Sequence, residues 1–330
     1  MTHSAIQPTS RRTTGVPSQE GPVMLATKVF TGLDAPLAVA RWLATREERE
    51  LHVVSVFEQG DAMAATEGVA SLPHRRDDDD RDALAAQISR ALTPYNEHGK
   101  PPVVEIVDGP SASGVVDAAQ RCNARVIVIG TGKHDPIGRH VYGKRALEIV
   151  SIADRPVLIV PREATAASLS VAVVAVDFSP ASVRAARAVL PMLSQGGHLI
   201  LVHVQTAVGR GEEHSGWGND AYGRRCAHLF AHFQRQLPSI AGVTVATRFF
   251  RGDAVGTLLA YATMRHAGVI ACGRLGHSLA ARIFVGSVSS ALVRQATCPV
   301  LVAPELSGDA MAPQRSQAWL STGGDSSSLS

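Results

Sequence analysis

The sequence predicts an α/β protein of two tandem domains, each a five-stranded parallel sheet with helices on both faces. Short apolar runs of strand length alternate with amphipathic helical stretches. The same series of runs occurs twice in 330 residues, a length that suits two domains of ordinary size. Hydrophobic residues make up 45% of the chain but aromatics only 5%. That Ala-, Val- and Leu-rich balance favours parallel strands buried on both faces.

In the first series the strands are expected at Val23–Ala26, Leu51–Val56, Val103–Val107, Val126–Ile129 and Val157–Val160. In the second they are expected at Val171–Val176, Leu199–Val204, Val243–Ala246, Val269–Cys272 and Val300–Val302. Register supports duplication, because Gly109, Gly130, Gly143 and Pro156 match Gly252, Gly273, Gly286 and Pro299 at one constant offset. Upstream the offset changes, since the first series carries extra residues around Arg75–Asp80. That charge run reads as a solvated loop, because four adjacent aspartates lack the spaced ligands of a calcium loop. The resulting layout is a disordered polar tail over 1–20, a first domain over 21–162, a linker over 163–168, a second domain over 169–305 and a Ser- and Gly-rich disordered tail over 306–330.

Several classes of function are disfavoured. A net charge of +3 with scattered Lys and Arg gives no basic stripe for nucleic acid or a membrane surface. Neither a signal peptide nor an apolar run of spanning length is recognised. Cys122, Cys226, Cys272 and Cys298 lie far apart without a CxxC pair, which argues against a zinc site or disulfide framework and fits a reducing cytoplasm. His228 and His232 stand four apart on an expected helix, yet without a third ligand they read as a surface face, and no metal site is assigned. Gly323–Ser326 resembles a pyrophosphatase loop but follows no strand.

In sheets of this kind, ligands sit beyond the carboxyl ends of the strands where strand order reverses. There the second domain places Gly273-Arg274-Leu275-Gly276, nine further residues, and Gly286-Ser287-Val288-Ser289 opening a helix. Glycines at those positions let backbone amides approach an anion, and the helix start adds further amides and a favourable dipole. Arg274 and His277 fall inside the loop, within reach of a polyphosphate. Asp177 follows the first strand of this domain and can accept hydrogen bonds from a ribose or an adenine edge, while the backbone beside Val204 can face a base. His203 has no recognisable carboxylate or nucleophile partner, so no catalytic residue is assigned. Cys272 reads as a buried, inert thiol.

Together Val176-Asp177-Phe178-Ser179-Pro180, His203-Val204, Gly252 and Gly273-x2-Gly276-x9-Gly286-Ser287 resemble the universal stress protein family over nearly all of residues 169–304. The resemblance implies a Rossmann-like fold of the adenine nucleotide alpha hydrolase type. It further implies an ATP site, with magnesium as a candidate companion, formed by Asp177, Val204, Gly273, Gly276, Gly286, Ser287, Val288 and Ser289, and the site is completed here with Ala175, Gly252 and the loop residues Arg274 and His277. The first domain departs from the pattern: Lys133 stands where the second glycine belongs, Lys144 follows Gly143, and Lys28 or a neighbour holds the Asp position, with Asp34 too far downstream. Its loop is expected to be degenerate, although Lys133 and Lys144 can still attract phosphate. Three functions follow for comparison: an ATP-dependent regulator of stress response or growth arrest acting on an unidentified protein partner, a slow ATPase or phosphotransferase, and a nucleotide-independent dimeric scaffold. Family members often pair through the last strand of each domain, which nominates Val157–Val160 and Val300–Val302 for an internal pseudo-dimer and for a homodimer.

Overall fold

The computed structural model describes residues 21–27, 34–57, 101–131, 144–164, 169–206, 216–274 and 285–305, with isolated positions between 85 and 93. The first half runs β1 (Val23–Thr27), α1 (Asp34–Arg46), β2 (Leu51–Phe57), β3 (Val103–Asp108), α2 (Ser111–Arg121), β4 (Val126–Gly130), α3 (Lys144–Ile152) and β5 (Val157–Val160). The second runs β6 (Val171–Ala175), α4 (Pro180–Val189), a 3-10 turn at Leu190–Met192, β7 (His198–Gln205), α5 (Gly216–Arg235), β8 (Thr244–Arg251), α6 (Ala254–Met264), β9 (Val269–Gly273), α7 (Ser287–Gln295) and β10 (Val300–Ala303). Each expected strand is present. β8 is the one substantially longer than expected, because the apolar run breaks at Thr247-Arg248 whereas pairing with β7 continues to Arg251.

The strands form one sheet in the order β3-β2-β1-β4-β5-β10-β9-β6-β7-β8. Within each half all neighbours are parallel, as right-handed β-α-β crossovers demand. At the seam β5 and β10 run antiparallel, with Val300 opposite Ile159, Leu301 opposite Leu158 and Val302 opposite Val157. The two nominated edges are therefore spent on each other, and β3 and β8 terminate the sheet. Two apolar layers cover it. One contains Val23, Leu25, Leu43, Leu158, Val174, Leu190 and Leu301; the other contains Met24, Ile127, Ile159, Val173, Ile270 and Val300. Each layer runs through both halves, so the seam is continuous core.

Strand pairing fixes the internal equivalence that the loops obscure. Val23 lies opposite Val126 in β4 and Leu51 in β2, whereas Ala172 lies opposite Val269 in β9 and Leu199 in β7. Val126 and Val269 are equivalent by the spacing of Gly130 and Gly273, so Val23 matches Ala172 and Leu51 matches Leu199. Carried along the strands, Ser55 matches His203, Val56 matches Val204, and position 28 matches Asp177. The first-half counterpart is thus Lys28, which itself lies outside the described residues. Backbone details repeat as well: Gly109 and Gly252 have φ of 130° and 131°, and the left-handed helix ends Asn123 and His266 have φ of 54° and 49°.

Polar bonds also cross between halves. Arg125, 2% exposed, is bound by both oxygens of Glu47 at 2.8 and 3.1 Å and donates to Ala188 O of α4 at 2.8 Å. Arg46 donates to Leu193 O at 2.7 Å. No helix among the described residues is long and apolar enough to cross a membrane, and the four cysteines form no disulfide.

Candidate functional site

From β6 the chain proceeds outward to β7 and β8 on one side and returns to β9 and β10 on the other, so strand order reverses between β6 and β9. A crevice opens beyond the carboxyl ends of strands at such a point. Asp177 leaves β6 there and Gly273 ends β9. On the face covered by α6 and α7, Ala175 and Val204 pack against the same apolar layer as Val285 and Val288. Gly286 N donates to Arg274 O, which places the start of α7 beside the end of β9. Gly252, in the left-handed region, turns the chain from β8 into α6, whose first turn is capped by Asp253 accepting from Gly256 N.

The far end of the loop is the start of α7. Gly286 occupies its N-cap at φ −59° and ψ 157° and supplies no side-chain cap, whereas α4 and α6 are capped by Ser179 and Asp253. Ser287 is exposed and Val288 half-buried at the head of this helix. Two bonds pin the ends of the loop: Gly286 N donates to Arg274 O at 2.8 Å, and the Ser289 hydroxyl lies 3.0 Å from Arg274 O and 3.1 Å from Gly286 O. Gly276 and His277, between those ends, lie outside the described residues.

Three residues expected at the phosphates have other roles in the structure. The Arg274 side chain, 8% exposed, turns away from the crevice and donates from Nη1 to Ser151 O, Ala153 O and Val150 O of the first half at 2.9, 3.0 and 3.3 Å. Its assignment to the polyphosphate is corrected accordingly: a guanidinium held by the carbonyls at a helix C-terminus has strong acceptors already and points the wrong way. The Ser289 hydroxyl, 3% exposed, closes the loop by bonding Arg274 O and Gly286 O. At Gly273 a Cβ would stand 2.7 Å from Ala181 Cβ and 3.1 Å from Ala181 C, so glycine is required for α4 to approach β9. Packing thus supplies a reason for this glycine that is independent of any anion.

Across the switch point, Asp177 Oδ1 accepts from Ser179 N at 3.0 Å and Ser179 Oγ at 2.6 Å, while Ser179 Oγ accepts from Ser182 N at 3.2 Å. The carboxylate thus sits on the N-terminal turn of α4, a role legible in the Ser-Pro pair that opens the helix. Between them Phe178 adopts φ 63°, an unusual conformation for a bulky residue. Its ring is held 4.8 Å from that of His203 and 5.1 Å, edge-on, from that of Phe230. His203 Nδ1 lies 2.7 Å from Val176 O, an acceptor only, so Nδ1 carries the proton and Nε2, 2.9 Å away, accepts from the Tyr222 hydroxyl. Burial lowers its pKa below the ordinary 6.5, so the imidazole is a neutral brace between β6, β7 and α5. Burial pushes the Cys272 thiol up to about 12, far from the thiolate that redox chemistry needs.

The first half lacks the same furniture. Lys28 replaces Asp177, Thr131 replaces Arg274, Lys144 replaces Ser287 and Ala146 replaces Ser289. Ala146 has no hydroxyl with which to close the loop. Gly132, Lys133 and Gly143 lie outside the described residues, as do the aspartate run and both terminal tails.

A tandem α/β protein whose two halves share one sheet, each with a strand-order reversal, is the class these features define. The model of the universal stress protein family matches residues 23–161 and again 170–304, and the chain belongs to that family. A universal stress protein from Archaeoglobus fulgidus is similar in fold, with TM-score 0.59, 18% identity, and coverage of 85% of this chain and 97% of that one. A putative universal stress protein from Pseudomonas aeruginosa gives TM-score 0.57 at 14% identity, covering 87% of this chain and 94% of that one. Among curated proteins the sequence finds no match.

Proposed function

We propose that the second domain binds an adenine nucleotide, ATP with magnesium, and that occupancy makes the protein a nucleotide-dependent regulator of stress response or growth arrest. One arrangement supports this reading: Asp177 follows β6 and Arg274 follows β9 where the strand order reverses, and Gly286 N at the start of α7 donates to Arg274 O. Backbone amides of the α7 first turn would take the phosphates, with Gly286, Ser287 and Val288 at the contact. The base would lie against Ala175 and Val204, and Gly252 would border it. Among the described residues none is placed as a catalytic base at this switch point, since His203 is braced and neutral, so at most slow hydrolysis is expected. Titration calorimetry with magnesium ATP, and native mass spectrometry of the protein as purified, test the reading. Saturable heat with one nucleotide per chain supports it; an inert titration and a nucleotide-free mass defeat it.

The scaffold reading has one observation in its favour. Gly273, Arg274 and Ser289 all have structural roles, so part of the motif would be needed for packing even without a ligand. With β5 and β10 consumed internally, a homodimer of such a scaffold would have to use another surface. Light scattering on the eluted protein decides whether one forms.

A further inference from the structure

Arg274 is the first residue beyond β9 and joins two structures that belong to different halves of the chain. Its backbone belongs to the second: its N–H donates to Ala303 O of β10 at 2.8 Å, and its carbonyl accepts from Gly286 N and the Ser289 hydroxyl at the far end of the loop. Its side chain belongs to the first, where Nη1 is held by three carbonyls at the C-terminus of α3. Those carbonyls have no amide partner further along the helix and carry the negative end of its dipole, which is where a cation bonds most favourably. Burial keeps water from competing for either partner.

Among the described residues the connection runs in one direction. Residue spacing makes α3 the counterpart of α7, and makes Thr131 the counterpart of Arg274. Thr131 N donates to Val160 O at 3.3 Å just as Arg274 N donates to Ala303 O, so the two backbones correspond. Yet the Thr131 hydroxyl is buried with no hydrogen-bond partner, and its short side chain supplies no guanidinium for the C-terminus of α7. The loop of the second half is therefore tied to the helix of the first, and among the described residues no reciprocal tie is made.

We propose that Arg274 is a positioning residue that couples the nucleotide loop of the second domain to α3 of the first: the first domain holds the loop in its binding geometry, and occupancy of the loop is felt at the end of α3. The proposal rests on the nucleotide reading above and extends it to regulation. By linkage, if α3 stabilises the loop for the ligand, the ligand stabilises α3 by the same factor. The degenerate half thereby gains a role as the element that reports occupancy.

The test combines calorimetry with hydrogen exchange on the full chain, comparing wild type, Arg274→Met and Arg274→Lys with and without saturating magnesium ATP. Wild type should show slower exchange on binding in peptides covering both α7 and the last turn of α3. In Arg274→Met affinity should fall about tenfold, in the range of ordinary allosteric coupling. Nucleotide should still protect α7 there, but α3 should no longer respond. Arg274→Lys, which keeps the charge but loses the fork, should restore part of the α3 response, and it serves alone if the Met variant does not fold. An α3 response equal in wild type and variant, or no α3 response in a wild type whose α7 responds, overturns the proposal. If wild type gives neither heat nor α7 protection, the nucleotide reading fails separately. The tie is then decided without ligand: exchange of the last α3 turn about tenfold faster in the variant sustains it, and equal rates overturn it.

Discussion

Gly286→Asp separates binding from folding, because the two should move in opposite directions. At φ −59° and ψ 157° the residue lies in extended backbone space that an aspartate adopts without strain. Asp is a better N-cap than Gly by a few tenths of a kcal/mol, narrows the unfolded ensemble by about 0.4–1 kcal/mol, and places a carboxylate at a helix N-terminus for about 0.3–1 kcal/mol. The variant should therefore be about 1 kcal/mol more stable, raising Tm by roughly 2–3 °C. A phosphate facing that carboxylate at about 4 Å meets roughly 4 kcal/mol of repulsion at a surface dielectric. Even with magnesium neutralising part of the charge, Kd for ATP should rise at least about a hundredfold. Gly286→Asn caps the helix without the charge and should lose only about tenfold. Calorimetry and a thermal melt on the three proteins suffice. A Gly286→Asp protein that melts higher and binds ATP unchanged would refute the assignment of phosphate to the α7 start; lower Tm with proportionate loss of binding would refute the capping argument.

Other expected outcomes follow from contacts away from that helix start. Gly273→Ala forces a Cβ into Ala181 and should cost about 1–3 kcal/mol in chemical denaturation with or without ligand, an amount that would be near zero if the glycine served the anion alone. Glu47→Leu leaves Arg125 charged and buried, and should cost about 3 kcal/mol, whereas Glu47→Leu combined with Arg125→Met should recover most of it; additive losses would refute the pairing. His203 has its folded pKa depressed by burial, so its unfolded form binds the extra proton. Its contribution is fully present above about pH 6.5 and is lost as pH falls through that value toward the folded pKa. Replacing it with Gln should flatten the stability-against-pH curve below pH 6.5, and an unchanged slope there would place the titration elsewhere.

The fold was legible because its signals are local and redundant. Ten apolar runs sit between helix patterns, and Gly109/Gly252 and Gly130/Gly273 keep step through the repeat, so small errors at individual ends did not matter. The end of β8 was lost because an exposed edge strand need not be apolar: Thr247, Arg248 and Arg251 interrupt the run without interrupting the ladder. The Asp177 counterpart was ambiguous by one residue in the sequence and became definite only through pairing, since β1 and β2 are offset differently from the later strands. For the candidate site, the sequence names loop positions but not the directions of their side chains. Spacing says that Arg274 and Ser289 belong to the loop, yet only burial and direction tell that one reaches α3 and the other closes the loop on itself. The Arg125–Glu47 pair, separated by 78 residues, carries no sequence signal of its own.

The pattern of what differs between the halves constrains how the molecule works. The strand pairings, the left-handed glycines at 109 and 252 and the helix ends at Asn123 and His266 are common to both, and all of them serve the sheet and its packing. The differences collect at the carboxyl ends of the strands: Lys28 for Asp177, Thr131 for Arg274, Lys144 for Ser287, Ala146 for Ser289. A half that was unnecessary could drift anywhere, but the first half supplies β5 to the seam, Arg125 to α4 and the end of α3 to Arg274. Its core is required because the second half is built against it. Cutting the chain in the 163–168 linker should therefore leave the second half with an unpaired β10 edge, an Arg274 without acceptors and an uncovered apolar layer. Expressed alone, it should aggregate or self-associate through β10, and mixing with the first half should restore a soluble one-to-one complex; a monomeric, stable second half would show that the two crevices, and not the two cores, are what the tandem joins.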